Sequence, residues 1–452
     1  MTISTPAEET TGDQSPRSID PNAFWTEKLT QPQVASQATL VSPRQPSTRG
    51  IRSLIRGLVE IIINVKRSIG GSRNFLQRDP ATRKVGEDQI EGEVQAFLSG
   101  TTLTEVPSAD LDSTTSGPQE ADVQRLVDDV HRTLGNADCE PTAQRCLVQL
   151  LRWLASKFDM YPTELGPLTQ DLMECSSRDD YGSGGMCDIY RGTFQERAVA
   201  LKAPRVFNMV VQSRIDGLRK TFMYDALVWY NLRHENIVPC LGILNDRQFN
   251  GYCFVLPWYE NGDARQYLEK NASSWLSQGE YTTRVNKILH EIALGLGYLH
   301  AVGIVHGELR GAKVLIDADG SARLTDFGSA TDAAAAGNRP TPKQGSTTHW
   351  LAPELIKPCK PESSPPDPTP ASDMYSFACV AIELYTRQPP FQKTRDYDII
   401  SSVLKGKRPS RPSFPDVEMS DQLWSLIESC WATKPSERPS SRFVADALQR
   451  LA

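Results

Sequence analysis

The sequence predicts an α+β fold of two lobes, a small strand-rich lobe followed by a larger helical one. A helical region and a disordered segment precede them. Three observations predict this. Short strand-like runs at Asp188-Ile189-Tyr190, Val199-Ala200-Leu201 and Phe254-Val255-Leu256 are separated by turns and helices. Beyond Trp258 the pattern is mostly helical. Residues 1–50 are rich in Ser, Thr, Pro and Gln and poor in large apolar side chains, so they cannot bury enough area to offset ordering entropy. The 452 residues allow two or three domains, and 39% apolar content allows a sizeable core.

Residues 51–172 read as a helical region. Ile51, Leu54, Ile55, Leu58, Ile62 and Val65 recur at helical spacing, with Arg52, Arg56, Lys66 and Arg67 between them. A helix of this kind over 51–69 could lie on an anionic membrane or dock its apolar face on other helices. Docking is the commoner use of such a stripe. Val94–Leu98 is a short helical run, and 99–118 reads as a linker. Val123, Leu126, Val127, Val130 and Leu134 form a second stripe, which Gly135-Asn136 would end. Cys146 to Phe158 is apolar on one face through Leu147, Leu150, Leu151 and Leu154. The region could act as an adaptor or as a brake on residues 175–452.

Composition excludes several functions. A net charge of −6 gives no reason to expect nucleic acid as a partner. No run of eighteen apolar residues indicates a spanning helix, and Met1–Asp13 lacks a basic-then-apolar leader pattern. Nine cysteines are scattered singly without a C-x-x-C pair, which predicts reduced thiols in a cytoplasmic or nuclear protein. Six histidines show no metal spacing, and nothing sets an oligomeric state.

The chemistry-bearing strings lie between Tyr181 and Pro439. Tyr181-Gly182-Ser183-Gly184-Gly185-Met186-Cys187-Asp188-Ile189 can close a backbone over phosphates without a Cβ clash, although glycine clusters alone usually mark turns. Val199-Ala200-Leu201-Lys202, His234-Glu235-Asn236-Ile237-Val238 and Leu256-Pro257-Trp258-Tyr259-Glu260-Asn261-Gly262 follow. Then come His306-Gly307-Glu308-Leu309-Arg310-Gly311-Ala312-Lys313-Val314-Leu315 and Asp326-Phe327-Gly328. Trp350-Leu351-Ala352-Pro353-Glu354, Ser372-Asp373-Met374-Tyr375-Ser376-Phe377 and Pro435-Ser436-Glu437-Arg438-Pro439 complete the series. Each string is weak alone. In this order they resemble the protein kinase superfamily, and most closely its tyrosine-kinase-like group of Ser/Thr kinases. The H-G-x-L-R-G-A wording is similar to fungal members with degenerate catalytic motifs.

The resemblance implies a bilobal protein-kinase fold over 175–452 that binds ATP and Mg²⁺ and acts on, or with, another protein. It places Gly182, Gly184, Ile189, Ala200, Lys202, Leu256, Pro257, Tyr259 and Leu315 on the nucleotide, and Asp326 on the metal. It gives catalytic roles to Glu308, Arg310, Lys202 and Asp225, a substrate-side role to Thr347, and a pairing to Glu354 and Arg438.

Several positions depart from the family pattern. Cys187 replaces the third glycine, Asp225 a longer Glu that pairs with the strand lysine, and Gly307 the arginine that reads activation-loop phosphorylation. Arg310 replaces a lysine and is a wider group. Glu308 stands where an Asp base is expected, with its oxygens about an ångström further out, a misplacement that can cost about a hundredfold in rate. Lys313 replaces an Asn that ligates the second metal, and a cation cannot ligate one. The expected function is therefore an ATP-binding signalling protein that phosphorylates Ser/Thr if active, with a pseudokinase as the alternative. Residues 357–370 read as a Pro- and Ser-rich loop, or as a Pro-rich ligand for a partner domain.

Overall fold

A computed structural model describes residues 120–135, 141–165, 172–178, 187–204, 212–246, 251–326, 348–356, 367–414 and 417–451. The expectations for 1–50, 51–69, 94–98, Gly182, Gly184, Phe327, Gly328, Thr347 and most of the 357–370 loop lie outside them.

Among the described residues two helices come first, α1 (Glu120–Leu134) and α2 (Pro141–Phe158). Both predicted stripes are buried: Val123, Val127, Val130 and Leu134 on α1, and Leu147, Leu150, Leu151 and Leu154 on α2. Asp128 ties this hairpin shut, accepting bonds from the Thr163 backbone N–H at 2.7 Å and the Thr163 hydroxyl at 2.9 Å.

The small lobe holds strands β1 (Leu172–Arg178), β2 (Cys187–Phe194) and β3 (Arg197–Pro204), helix α3 (Gln212–Tyr230), and strands β4 (Gly242–Asp246) and β5 (Gly251–Pro257). The sheet order is β1-β2-β3-β5-β4, with every neighbouring pair antiparallel. All three predicted strand runs fall in it. On β3, Val199, Leu201 and Ala203 are buried while Ala200 and Lys202 are only half-buried, so alternation presents Lys202 on the opposite face from the sheet's packed side.

The larger lobe is helical: α4 (Ala264–Gln278) and α5 (Tyr281–Ala301), a short ribbon of β6 (Val314–Ile316) and β7 (Ala322–Leu324), then α6 (Pro353–Ile356), α7 (Pro370–Thr386), α8 (Asp396–Leu404), α9 (Asp421–Cys430) and α10 (Ser441–Leu451). Asp263 starts α4 with a capping box: it accepts from the N–H groups of Arg265 and Gln266, and Gln266 reaches back to the Asp263 N–H. Thr369 and Ser372 cap α7 in the same reciprocal way, with Pro370 at the first turn. Helix α7 is buried almost throughout, from Ser372 to Tyr385, and forms the axis of this lobe.

The α1–α2 hairpin shares one continuous apolar core with both lobes. On the small-lobe side, the Tyr224 hydroxyl of α3 donates to the Arg152 carbonyl at 2.6 Å, and His131 stacks on Tyr230 at 5.4 Å. On the large-lobe side, Gln144 donates to the Tyr298 hydroxyl at 2.8 Å. Gly303, at φ +78°, passes beneath Arg145, where a Cβ would come within 3.0 Å of the guanidinium.

The pair expected between Glu354 and Arg438 is present as a two-bond fork of 2.6 and 2.8 Å. Arg438 also donates to the carbonyls of Ala371 and Ala432, so one buried guanidinium joins α6, the start of α7 and the loop after α9. Arg438→Ala is expected to cost about 3 kcal/mol in urea unfolding, the low end for a broken buried pair, because Glu354 keeps 23% of its side-chain surface in water. A loss below about 1 kcal/mol would mean the fork behaves like an exposed ion pair.

Candidate functional site

The site lies where the sheet faces the β6–β7 ribbon. Antiparallel register sets Ile189 opposite Lys202, Lys202 opposite Phe254, and Ala200 opposite Leu256. Directly opposed residues share a face, so these five side chains form one surface above the cleft. Pro257 ends β5, and Tyr259 follows in a turn in which its carbonyl accepts from the Gly262 N–H at 3.1 Å. The Gly262 carbonyl in turn accepts from the Ile316 N–H at 3.0 Å, which draws the segment after β5 onto β6. Leu315 is half-buried between the fully buried Val314 and Ile316, and so points away from the core below.

Lys202 rises from β3 with 13% of its side chain exposed. Its ammonium lies over the Trp229 ring at 5.3 Å and the Phe254 ring at 5.8 Å. Trp229 is fixed by donating to the Val238 carbonyl at 2.7 Å. The Lys202 ammonium donates to Oδ1 of Asp326. Asp225, half-buried on α3, adds to the negative field that Lys202 feels. Burial works against the charged lysine, but Asp326 overcomes it and holds the ammonium's pKa above its ordinary value.

The loop from His306 to Lys313 approaches from below. Its turn at Gly311–Lys313 closes with a bond from the Lys313 N–H to the Arg310 carbonyl at 2.8 Å. The Lys313 carbonyl accepts from the Thr325 N–H at 3.0 Å, which sets this residue beside Asp326. The Lys313 ammonium then donates to Oδ2 of Asp326. Each oxygen of Asp326 thus meets a different ammonium. Burial opposes ionisation of this carboxyl, yet Lys202 and Lys313 hold its pKa far below the carboxylate range. Asp326 adopts φ +63°, a left-handed backbone that few non-glycine residues take and that clusters at functional sites.

The remaining expected residues are placed as follows. Glu308 is exposed on the loop, its N–H donating to His306 Nδ1 at 3.3 Å. Arg310 is half-buried, and its Nε has no hydrogen-bond partner among the described residues. Cys187 is half-buried at the start of β2, where burial pushes its thiol up and Lys202 pulls it partly back.

Two carboxylates frame this loop; sequence reasoning quoted Asp373 within a string without giving it this role, and missed Glu383 altogether. Asp373 accepts from the His306 and Gly307 N–H groups at 2.8 and 2.9 Å, and meets His300 Nε2 at 2.9 Å. Glu383 accepts from the Gly311 N–H and from Trp350 Nε1, both at 2.8 Å. Ten residues along one helix spans about 15 Å, so α7 grips the loop at both ends. A signal was available: two acids inside an otherwise apolar buried run need partners. The same contact explains Gly311, since a Cβ there would come within 2.9 Å of the Glu383 carboxylate.

A metal fits these residues poorly. Both Asp326 oxygens already accept from ammoniums. A divalent ion about 4 Å from the Lys313 ammonium would meet a repulsion of about 8 kcal/mol at the effective dielectric of a partly buried site.

The sequence matches the protein tyrosine and serine/threonine kinase family over residues 176–448. This chain belongs to that family. Serine/threonine/tyrosine-protein kinase HT1 of Arabidopsis thaliana is 29% identical over 299 residues, 66% of this chain and 70% of that protein. Mitogen-activated protein kinase kinase kinase A of Dictyostelium discoideum is 28% identical over 263 residues, 58% of this chain and 26% of that protein. Mitogen-activated protein kinase kinase kinase 5 of Arabidopsis thaliana is 30% identical over 227 residues, 48% of this chain and 30% of that protein. The chain thus spans most of the first relative and under a third of the other two. Such relatives accord with the tyrosine-kinase-like group, and the family generally uses ATP and Mg²⁺.

The lower frame of this kinase domain carries a pH dependence. Burial pushes the Glu383 carboxyl from an ordinary 4.5 up to about 7; the Gly311 and Trp350 bonds and the charge of Arg265 offset only part of this, and Asp263 adds to it. Between those two values the folded chain keeps a proton that the unfolded chain releases. The stability from this group is therefore complete below 4.5 and is lost as pH rises through about 7. Glu383→Gln, which keeps an acceptor oxygen and cannot ionise, is expected to flatten that decline in melting temperatures measured from pH 4 to 8. An unchanged difference from wild type across the range would contradict it.

Proposed function

We propose that this chain is an ATP-binding, kinase-fold signalling protein whose phosphoryl transfer to protein Ser or Thr is strongly weakened. It acts chiefly as a nucleotide-dependent partner of other proteins inside the cell. The observation that carries this reading is the Lys313 ammonium on Asp326, at a position where the family supplies a metal ligand. Phosphoryl transfer depends on positioning and on neutralising the charge that develops on the phosphates. Here Lys202 and Lys313 supply fixed positive charge to anchor a triphosphate, Ala200, Leu256 and Leu315 supply apolar surface for a base, and the backbone of Pro257 and Tyr259 supplies polar groups at its edge. A bound Mg²⁺ would contribute charge neutralisation between phosphates, with Asp326 as its ligand. The donor set does not favour that, as the geometry around Asp326 indicates.

Glu308 is the group nearest in role to a base. Being longer than Asp and exposed, it holds an acceptor hydroxyl less well. The helical hairpin supports a scaffold role, because Tyr224, next to Asp225, is bonded to α2.

Labelled-ATP transfer to a generic Ser/Thr substrate tests the reading. Glu308→Asp combined with Lys313→Asn is expected to raise the rate about a hundredfold or more over wild type. Wild-type turnover in the ordinary kinase range of about 1–100 per second would contradict the proposal. So would a double variant that stays as silent as wild type, because the defect would then lie elsewhere.

A further inference from the structure

The misfit between this site and a divalent ion leads to a statement about how the cleft takes its ligand. Three facts carry it. The Lys313 backbone is held at both its N–H, by its own turn, and its carbonyl, by the Thr325 N–H; this sets the residue within side-chain reach of Asp326, whose Oδ2 its ammonium bonds. The Lys202 and Lys313 side chains keep 13% and 15% of their surface exposed, and an ammonium has three donors, so the bond each makes to Asp326 leaves donor capacity for a ligand entering the cleft. The triad of two ammoniums and one carboxylate carries a net positive charge already in place, with the half-buried Arg310 on the same loop and its Nε unpaired among the described residues.

Resting on the reading that the cleft binds ATP, we infer that it binds a nucleoside triphosphate in the metal-free form. Lys313 provides as a resident charge what the family otherwise obtains from an ion. Free ATP carries more negative charge than its magnesium complex, and so gains more from the lysine pair. A magnesium ion brought in with the phosphates meets an ammonium at the carboxylate it needs. Added magnesium therefore competes with this site for ATP instead of assisting it.

The test is a thermal-shift titration of the full chain with ATP, once in EDTA and once in excess MgCl₂, for wild type and for Lys313→Asn. Wild type is expected to shift more in EDTA than in magnesium. Lys313→Asn loses a charge-assisted donor and regains a metal ligand. Its affinity in EDTA is expected to fall about tenfold or more, and magnesium should then restore it. A wild-type shift that appears only with magnesium would overturn this inference and leave the nucleotide-binding reading standing. No shift in either condition would overturn both. The wild-type comparison decides the matter alone should Lys313→Asn fail to fold.

Discussion

A buried carboxylate must be compensated, and in this protein Asp326 is compensated by two lysines from opposite sides of a cleft. Lys202 comes down from the sheet, and Lys313 comes up from the loop below it. Either ammonium alone would leave one oxygen of a largely desolvated carboxylate to find water, which is costly at this depth. Together they satisfy both oxygens and tie the two lobes at one point. The backbone at Asp326 is held at a positive φ. Such strain costs on the order of 1–3 kcal/mol and persists only where surrounding bonds over-determine it. The bonds that do so are the two ammoniums and the Thr325–Lys313 backbone contact.

Around that point the frame of a kinase is intact while its reacting surface is altered. Helix α7 holds the lower loop through Asp373 and Glu383, and Arg438 locks Glu354 on α6. Those contacts set backbone position and are indifferent to whether phosphate moves. Four of the altered positions, Gly307, Glu308, Arg310 and Lys313, lie on the loop that this frame holds in place. A fold's shape, and hence its partner surfaces, does not depend on the chemistry it positions. The α1–α2 hairpin fits that picture, since it bridges α3 and α5 through Tyr224 and Tyr298.

Much of this was legible in the sequence because strand and helix periods differ and because each kinase string has its own mechanical reason. The alternation at 199–203 fixed which face Lys202 takes, and the stripes at 123–134 and 147–154 marked buried helix faces. What those stripes pack against was not legible, since periodicity reveals an apolar face and not its partner. Lys313 was legible as a cation in place of an amide. Its turn onto Asp326 depends on a three-residue helix and one cross-loop hydrogen bond, neither of which leaves a residue pattern. The sequence also placed Asp225 where the family has a longer Glu that pairs with the strand lysine, with that pair conditional on α3 moving inward; in the structure Lys202 bonds Asp326 while Asp225 adds to the field it feels.

The most direct measurement is anomalous diffraction at the manganese edge from crystals grown with ATP and Mn²⁺. The account predicts triphosphate density between the lobes, Lys313 still bonded to Asp326, and no anomalous peak at that carboxylate. A manganese peak ligated by Asp326, with the Lys313 ammonium turned away, would contradict it.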